Sequence, residues 1–322
     1  MKQKLLIHCP ANSTTGGPEA LHQFCSVAKN FIDTKICYYL DNSAKVPSKF
    51  SNYAVSKSDF FDDENTFHLI PEISTKYFTN KIKNGKIIIF WLSVDNFLNL
   101  KDRSKLRNFI YYFSSLITHR RPMIFLKKYL HLSQSEYSNS FLRKNNFKFS
   151  FIGDYIRQEC YDLNTTVDKK NYILYNPKKG INKLLPVASE LKNKYQLIPL
   201  ENLSSIKLKD MLQISKIYID FGRLPGKDRI PREAILNNCC ILIGKRGAGV
   251  NDEDFSISDK FKINVDNSNY ISHTKNLIID IMENYELNIK EFENYKKKIL
   301  DEKNIFEKNI KNFINSKIIF KK

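Results

Sequence analysis

Between Tyr218 and Gly244 the sequence gathers cations around a turn in a pattern suited to holding phosphate. An apolar run ends at Asp220, and a loop with Gly222, Pro225 and Gly226 follows. Lys227, Asp228, Arg229, Arg232 and Glu233 then surround the start of a helical pattern near Pro231, ahead of another buried run. Free N–H groups at a helix start, with fixed Lys and Arg side chains beside them, make a site for a diphosphate. Glu233, on the first turn, carries a carboxylate that can accept two neighbouring hydroxyls of a ribose or sugar. Arginines at this end oppose the helix dipole, which favours anions there, so a bound anion is the natural compensation. The plain alternative is a helix with a charged first turn.

Two further segments carry loops of the same kind. Asn12-Ser-Thr-Thr-Gly-Gly-Pro follows the first apolar run. Gly16 and Gly17 allow a tight turn and close backbone approach to a ligand, and Pro18 suits a first helical position. The spacing is not the G-x-G-x-x-G dinucleotide fingerprint. Tyr175-Asn-Pro-Lys-Lys-Gly puts Lys178 and Lys179 in the loop after another apolar run, where a surface turn is the plain reading. Taking a proton from a substrate hydroxyl needs a carboxylate or imidazole within hydrogen-bond reach. Glu19, His22 and Asp95 are the candidates, and Gln134-Ser-Glu136 stands at another strand end. For each, a helix cap or a solvated surface residue is the competing role. No Asp-x-Asp follows a strand, and the six cysteines show neither a C-x-x-C pair nor a histidine at zinc-ligand spacing. No metal and no cofactor is expected.

Those loops need a scaffold, and 322 residues exceed one hydrophobic core, so two domains of about 150 residues are expected. The formal charge of +18 points to polyanionic partners: nucleic acid, phosphorylated substrates or an anionic membrane surface. Nucleic acid is the weakest of these, because the lysines are spread widely and no binding module is present. The first apolar run is too short for a signal peptide, and no stretch approaches the roughly 20 apolar residues of a membrane span. A cytoplasmic protein with reduced thiols is expected.

Short apolar runs alternate with helical patterns, which argues for parallel sheets covered by helices. In the first half the expected strands are 5–9, 35–40, 66–70, 86–92, 123–126 and 149–152, with helices at 18–31, 72–81, 103–116 and 135–145. The polar stretch 157–170 is the expected linker between domains 1–156 and 171–288. Beyond it, strands are expected at 172–175, 196–200, 216–220, 240–244 and 262–265, and helices at 181–194, 205–214, 230–237 and 272–286. From 289 to the C terminus the pattern is one amphipathic helix, with Phe292, Tyr295, Ile299, Phe306, Ile310 and Phe313 at three- and four-residue steps. Packing on its own domain, return to the first domain and a membrane face are the three destinations open to it.

The segment from Tyr218 to Gly249 resembles the donor-site region of GT-B glycosyltransferases of bacterial O-antigen, capsule and lipopolysaccharide clusters. Glu233-Ala234 matches the family's second glutamate, which holds the nucleotide ribose. Pro225 stands where the family has its first glutamate, so Lys227, Asp228 or Arg229 would take over the contact to the donor sugar. Lys245-Arg-Gly-Ala-Gly249 resembles the family's glycine turn after the next strand, and the Gly16-Gly17 loop its N-terminal loop facing donor phosphates and acceptor. The resemblance implies an α/β protein with two Rossmann-like domains facing across a cleft. It also implies metal-independent transfer of a sugar from a nucleotide-sugar, with Lys178 or Lys179 on the donor pyrophosphate, to a glycan or polyprenol-diphosphate-linked acceptor on or near an anionic membrane surface. A non-catalytic scaffold of the same fold, or a sugar phosphorylase or epimerase, is the alternative.

Overall fold

The computed structural model describes residues 2–100, 104–163 and 167–319. Asn164, Thr165 and Thr166 of the expected linker, and Arg103 at the head of an expected helix, lie outside the described residues. The chain divides into two compact units, one of Met1–Tyr155 with Lys303–Lys322 and the other of Ile156–Glu302.

In the first unit six strands form one parallel sheet: β1 (Lys4–Pro10), β2 (Asp33–Tyr39), β3 (Thr66–Pro71), β4 (Lys86–Trp91), β5 (Leu130–Ser133) and β6 (Ser150–Phe151), in the order β2-β1-β3-β4-β5-β6. The helices α1 (Gly16–Ala28), α2 (Thr75–Lys81), α3 (Val94–Phe97), α4 (Lys105–Thr118) and α5 (Glu136–Lys144) belong to it. The inner strands are apolar on both faces because both are covered, and the two-residue period sorts them. In β4, Ile88 and Phe90 enter a core with Phe24 of α1, whereas Ile87, Ile89 and Trp91 enter a second core with Phe78 of α2 and Leu142 of α5.

The expected strand at 123–126 is not there. Met123–Phe125 is a 3-10 turn behind Pro122, with Ile124 and Phe125 facing outward, and the strand is instead Leu130-His-Leu-Ser, paired in register with Ile88 to Trp91. A histidine interrupts that run. Its ring is buried and satisfied internally, with Nδ1 accepting from Trp91 Nε1 at 3.0 Å and Nε2 bonded to the Leu126 carbonyl at 3.0 Å. The cores hold polar groups that find partners inside, so apolar runs alone understate the sheet.

The second unit carries β7 (Lys170–Tyr175), β8 (Gln196–Pro199), β9 (Ser215–Asp220), β10 (Cys240–Gly244) and β11 (Lys262–Ile263), all parallel, in the order β11-β10-β9-β7-β8. Its helices are α6 (Ile181–Leu191), α7 (Ser205–Ile214), α8 (Arg229–Leu236), α9 (Tyr270–Glu283) and α10 (Tyr285–Lys290). The long helix α11 (Glu293–Phe313) begins in this unit, where the Tyr295 hydroxyl donates to the Asp254 carbonyl. From Lys303 onward it belongs to the first unit, whose core includes Phe306, Ile310 and Phe313. All six cysteines are buried free thiols.

Candidate functional site

The strand order of the second unit places a topological switch point between β7 and β9, since the chain leaves β7 toward β8 on one side and returns to β9 on the other. Ligands of open parallel sheets bind outside the carboxyl ends of strands at such a point. Here the loops that follow β7 and β9 touch. Gly180, with φ +63°, sits against the backbone of Phe221 and Gly222, so that an added Cβ would collide with the Gly222 amide nitrogen. Gly222 is equally tight from the other side, where an added Cβ would lie 2.5 Å from Cβ of Lys179. Only glycine at both positions lets the two loops meet.

That contact brings Lys179 to the tip of α8, where its ammonium pairs with the Asp228 carboxylate, both side chains partly exposed. Lys178, one residue earlier, is exposed, and of the two lysines in this loop it is Lys179 that stands at the tip of α8. Asp228 is the N-cap residue of α8 but makes no side-chain cap, leaving the first-turn N–H groups without a carboxylate partner from that position. Beneath the pair lies Asp220, the last residue of β9, 2% exposed. Its Oδ1 accepts from the Gly222 N–H at 3.0 Å and its Oδ2 from the Tyr218 hydroxyl at 3.3 Å. Burial raises its carboxyl to about 7, opposed by the charge of Lys179 and reinforced by that of Asp228. Gly226 lies in the turn itself, where its carbonyl accepts the Asp228 N–H at 2.9 Å.

The cations of the 225–232 segment divide into two kinds, and this corrects the expectation that all of them face a ligand. Arg232 is fully buried: NH1 pairs with Glu302 at 2.5 Å, Nε donates to the Asp228 carbonyl at 3.2 Å and NH2 to the Lys227 carbonyl at 2.8 Å. It clamps the loop from inside. Lys227 also pairs with Glu302, and only 15% of its side chain is exposed. Arg229 stays at the helix start, 3.5 Å from Glu233 on the same face of α8. The Lys245-Arg-Gly-Ala-Gly turn acts as a buttress, since the Leu224 N–H donates to the Arg246 carbonyl at 3.4 Å and the Ala248 N–H to the Leu224 carbonyl at 2.8 Å.

In the first unit the order β2-β1-β3 sets another switch point between β1 and β3. The Asn12–Thr15 loop and the head of α1 follow β1, with Gly16 exposed and no side-chain cap from Thr15. Glu19, on the first turn of α1, is 1% exposed; it accepts from the Tyr53 hydroxyl at 3.0 Å and lies 3.8 Å from the Lys49 ammonium. Asp95, after β4, is equally buried and accepts from the Tyr137 hydroxyl at 2.6 Å. His22 is drawn into the core instead. Its two ring nitrogens face the Pro18 carbonyl and the Tyr38 hydroxyl, both at 2.7 Å, with Phe50 against the ring, and burial lowers its pKa. A histidine with both nitrogens committed inward is a core hydrogen-bond post rather than a base. Glu72, which has no motif around it in the sequence, sits just after β3 and accepts the Leu92 and Ser93 N–H groups, each at 3.1 Å. It thereby holds the turn into α3, the helix that carries Asp95. Burial raises its carboxyl to about 7. Among the described residues no group of three His, Cys, Asp or Glu side chains is arranged to hold a metal ion.

No protein-family model and no curated protein matches the chain. Solved structures do, over nearly its whole length. Anabaena HepE in complex with UDP-glucose aligns over 97% of this chain and 99% of its own, with a TM-score of 0.65 at 9% identity. Sucrose-phosphate synthase from Thermosynechococcus elongatus aligns over 98% of each chain, with a TM-score of 0.64 at 8% identity. The E. coli trehalose-6-phosphate protein bound with UDP-2-fluoro glucose aligns over 98% of this chain and 99% of its own, with a TM-score of 0.60 at 9% identity. The shared property is the fold, two parallel-sheet α/β domains of the GT-B glycosyltransferase type.

Proposed function

We propose that this protein transfers a sugar from a nucleoside-diphosphate sugar to a hydroxyl of a glycan or polyprenol-diphosphate-linked acceptor, in the making of a bacterial surface polysaccharide. The observation that carries the proposal is the cradle at the second unit's switch point. There Lys179 stands beside the tip of α8, in a fold whose solved examples include proteins crystallised with UDP-sugars. In this reading Lys179, Arg229 and the first-turn N–H groups of α8 neutralise charge building on the departing diphosphate, with no metal required. Glu233 takes the ribose hydroxyls. Arg232, Lys227 and Glu302 hold the loop from beneath. Glu19 or Asp95 receives the acceptor proton, and the +18 charge keeps the protein near anionic lipid.

Thermal shift with UDP, GDP and dTDP, and with their sugars, tests the binding step. A nucleoside diphosphate should raise the Tm of the wild type. Lys179→Ala should weaken nucleotide binding by about 10- to 100-fold, the worth of one charge-assisted contact, while the ligand-free Tm stays nearly unchanged because the Lys179–Asp228 pair is partly exposed. The proposal falls if no nucleoside diphosphate shifts the Tm and no nucleotide-sugar is turned over. Pro225 in the place of a glutamate favours one other reading, a non-catalytic member of the fold; it would show nucleotide binding without transfer or hydrolysis.

A further inference from the structure

Helix α4 is built inside out. A surface helix ordinarily turns its apolar stripe to the core and its polar side to water. In α4 the residues least exposed, Asn108, Tyr112, Ser115 and Leu116, are mostly polar and fall on one stripe at i, i+4, i+7 and i+8. The outward stripe is apolar: Leu106, Phe109, Ile110, Phe113 and Ile117 are 69%, 60%, 56%, 50% and 73% exposed. Phe109 and Phe113 lie against each other on it, with tilted rings and centroids 4.5 Å apart. Scattered exposed hydrophobes need no explanation, but five large ones on one face of one helix do.

The charge along this segment of the chain is of one sign. From residue 104 to 128 the sequence contains six Lys and Arg and no Asp or Glu. Lys105 and Arg107 lie on the first turn of α4, exposed. After the helix, Ile124 and Phe125 are also exposed, followed by exposed Lys127 and Lys128. We infer that the outward face of α4 docks the protein on an anionic lipid bilayer, with the apolar stripe in the interface and the basic side chains among the headgroups. An apolar face with Lys and Arg at its margins is the composition of a helix lying in the plane of a membrane surface. No described helix is long and apolar enough to cross one. Charge argues against a second copy as the occupant, since a two-fold interface sets the same patch against itself and would bring two basic rims together. Helix α11, the amphipathic segment most prominent in the sequence, has no such face to offer, because Phe306, Ile310 and Phe313 are in the core.

This deepens the proposed function by naming the surface that meets the membrane, and the two stand or fall on different measurements. The test is co-sedimentation of the full-length protein with phosphatidylglycerol–phosphatidylcholine vesicles and with phosphatidylcholine vesicles alone. The wild type should pellet with the anionic vesicles, much less with the neutral ones, and be released by salt. The variant Phe109→Glu/Phe113→Glu should lose at least roughly tenfold in vesicle affinity, and Lys105→Glu/Arg107→Glu a comparable amount on anionic vesicles only. Both should keep the wild-type Tm, since every altered side chain is exposed. Wild-type protein that stays in the supernatant with anionic vesicles overturns the inference, as does a Phe109→Glu/Phe113→Glu variant that binds equally well. Sedimentation velocity that shows a dimer dissolved by the same substitutions also overturns it and gives the face to a second copy. Absence of any nucleotide-induced Tm shift, with vesicle binding intact, refutes the proposed function alone.

Discussion

Asp220→Asn separates the electrostatics of the cradle from its shape. The wild-type carboxyl is 2% exposed beneath Lys179 and Asp228 and is raised from 3.8 to about 7, chiefly by burial. Below the ordinary carboxyl range both folded and unfolded chains carry the proton, and the group contributes nothing to pH dependence. As pH rises through that range the unfolded chain releases its proton while the folded one keeps it, so stability falls until the folded group also ionises near pH 7. The displacement corresponds to about 4 kcal/mol in total, of which roughly 3 kcal/mol is lost above about pH 5. Asparagine retains the acceptor for the Gly222 N–H and offers an N–H to the Tyr218 oxygen, so the loop geometry survives while the titration is removed. Urea unfolding of both proteins at about pH 5 and about pH 8 should therefore show the variant's advantage growing by roughly 3 kcal/mol. The affinity for a nucleoside diphosphate should fall above about pH 7 in the wild type, as a carboxylate appears under the phosphates, and stay flat in the variant. A stability difference that is the same at both pH values would refute the assignment of a protonated carboxyl to this position.

Two further outcomes probe the scaffold of the same site. Gly180→Ala places a Cβ against the Gly222 amide nitrogen from a left-handed backbone and should cost about 2–4 kcal/mol in urea unfolding; wild-type stability would show that the two loops do not meet as described. Glu302→Ala leaves Arg232 buried without its carboxylate and should cost about 3–5 kcal/mol, whereas Arg232→Met/Glu302→Leu should recover most of that. Equal losses in the single and double variants would mean that packing, not charge pairing, holds the loop.

Some of this was legible in residue order. The strands β1, β3, β4, β7, β9 and β10 stand out because a parallel strand covered on both faces is mostly apolar along its length, as in Ile87-Ile-Ile-Phe-Trp. The glycines between strands and helices marked the loops at the switch points, since Gly180 and Gly222 occupy places closed to any side chain. Strand β5 is hidden because its four residues, Leu130-His-Leu-Ser, carry only two apolar side chains, and Glu72 because a lone glutamate after Pro71 looks like a solvated turn residue. No local signal distinguishes Lys179 from Lys178; only the meeting of two loops does that.

The cations from Lys227 to Arg232 show the division most clearly. Charge near a helix start is written in the sequence, and so is the alternation that builds the sheets. Whether a guanidinium faces a ligand or the interior depends on what lies across from it, and Glu302, seventy residues later on α11, is what turns Arg232 inward. The tail's periodicity likewise predicts a helix but not its destination, which lies with Phe306, Ile310 and Phe313 in the core of the first unit. Periodicity is a property of neighbours along the chain and can be read there. Partnership between distant side chains is created by folding, and only the tertiary structure decides it.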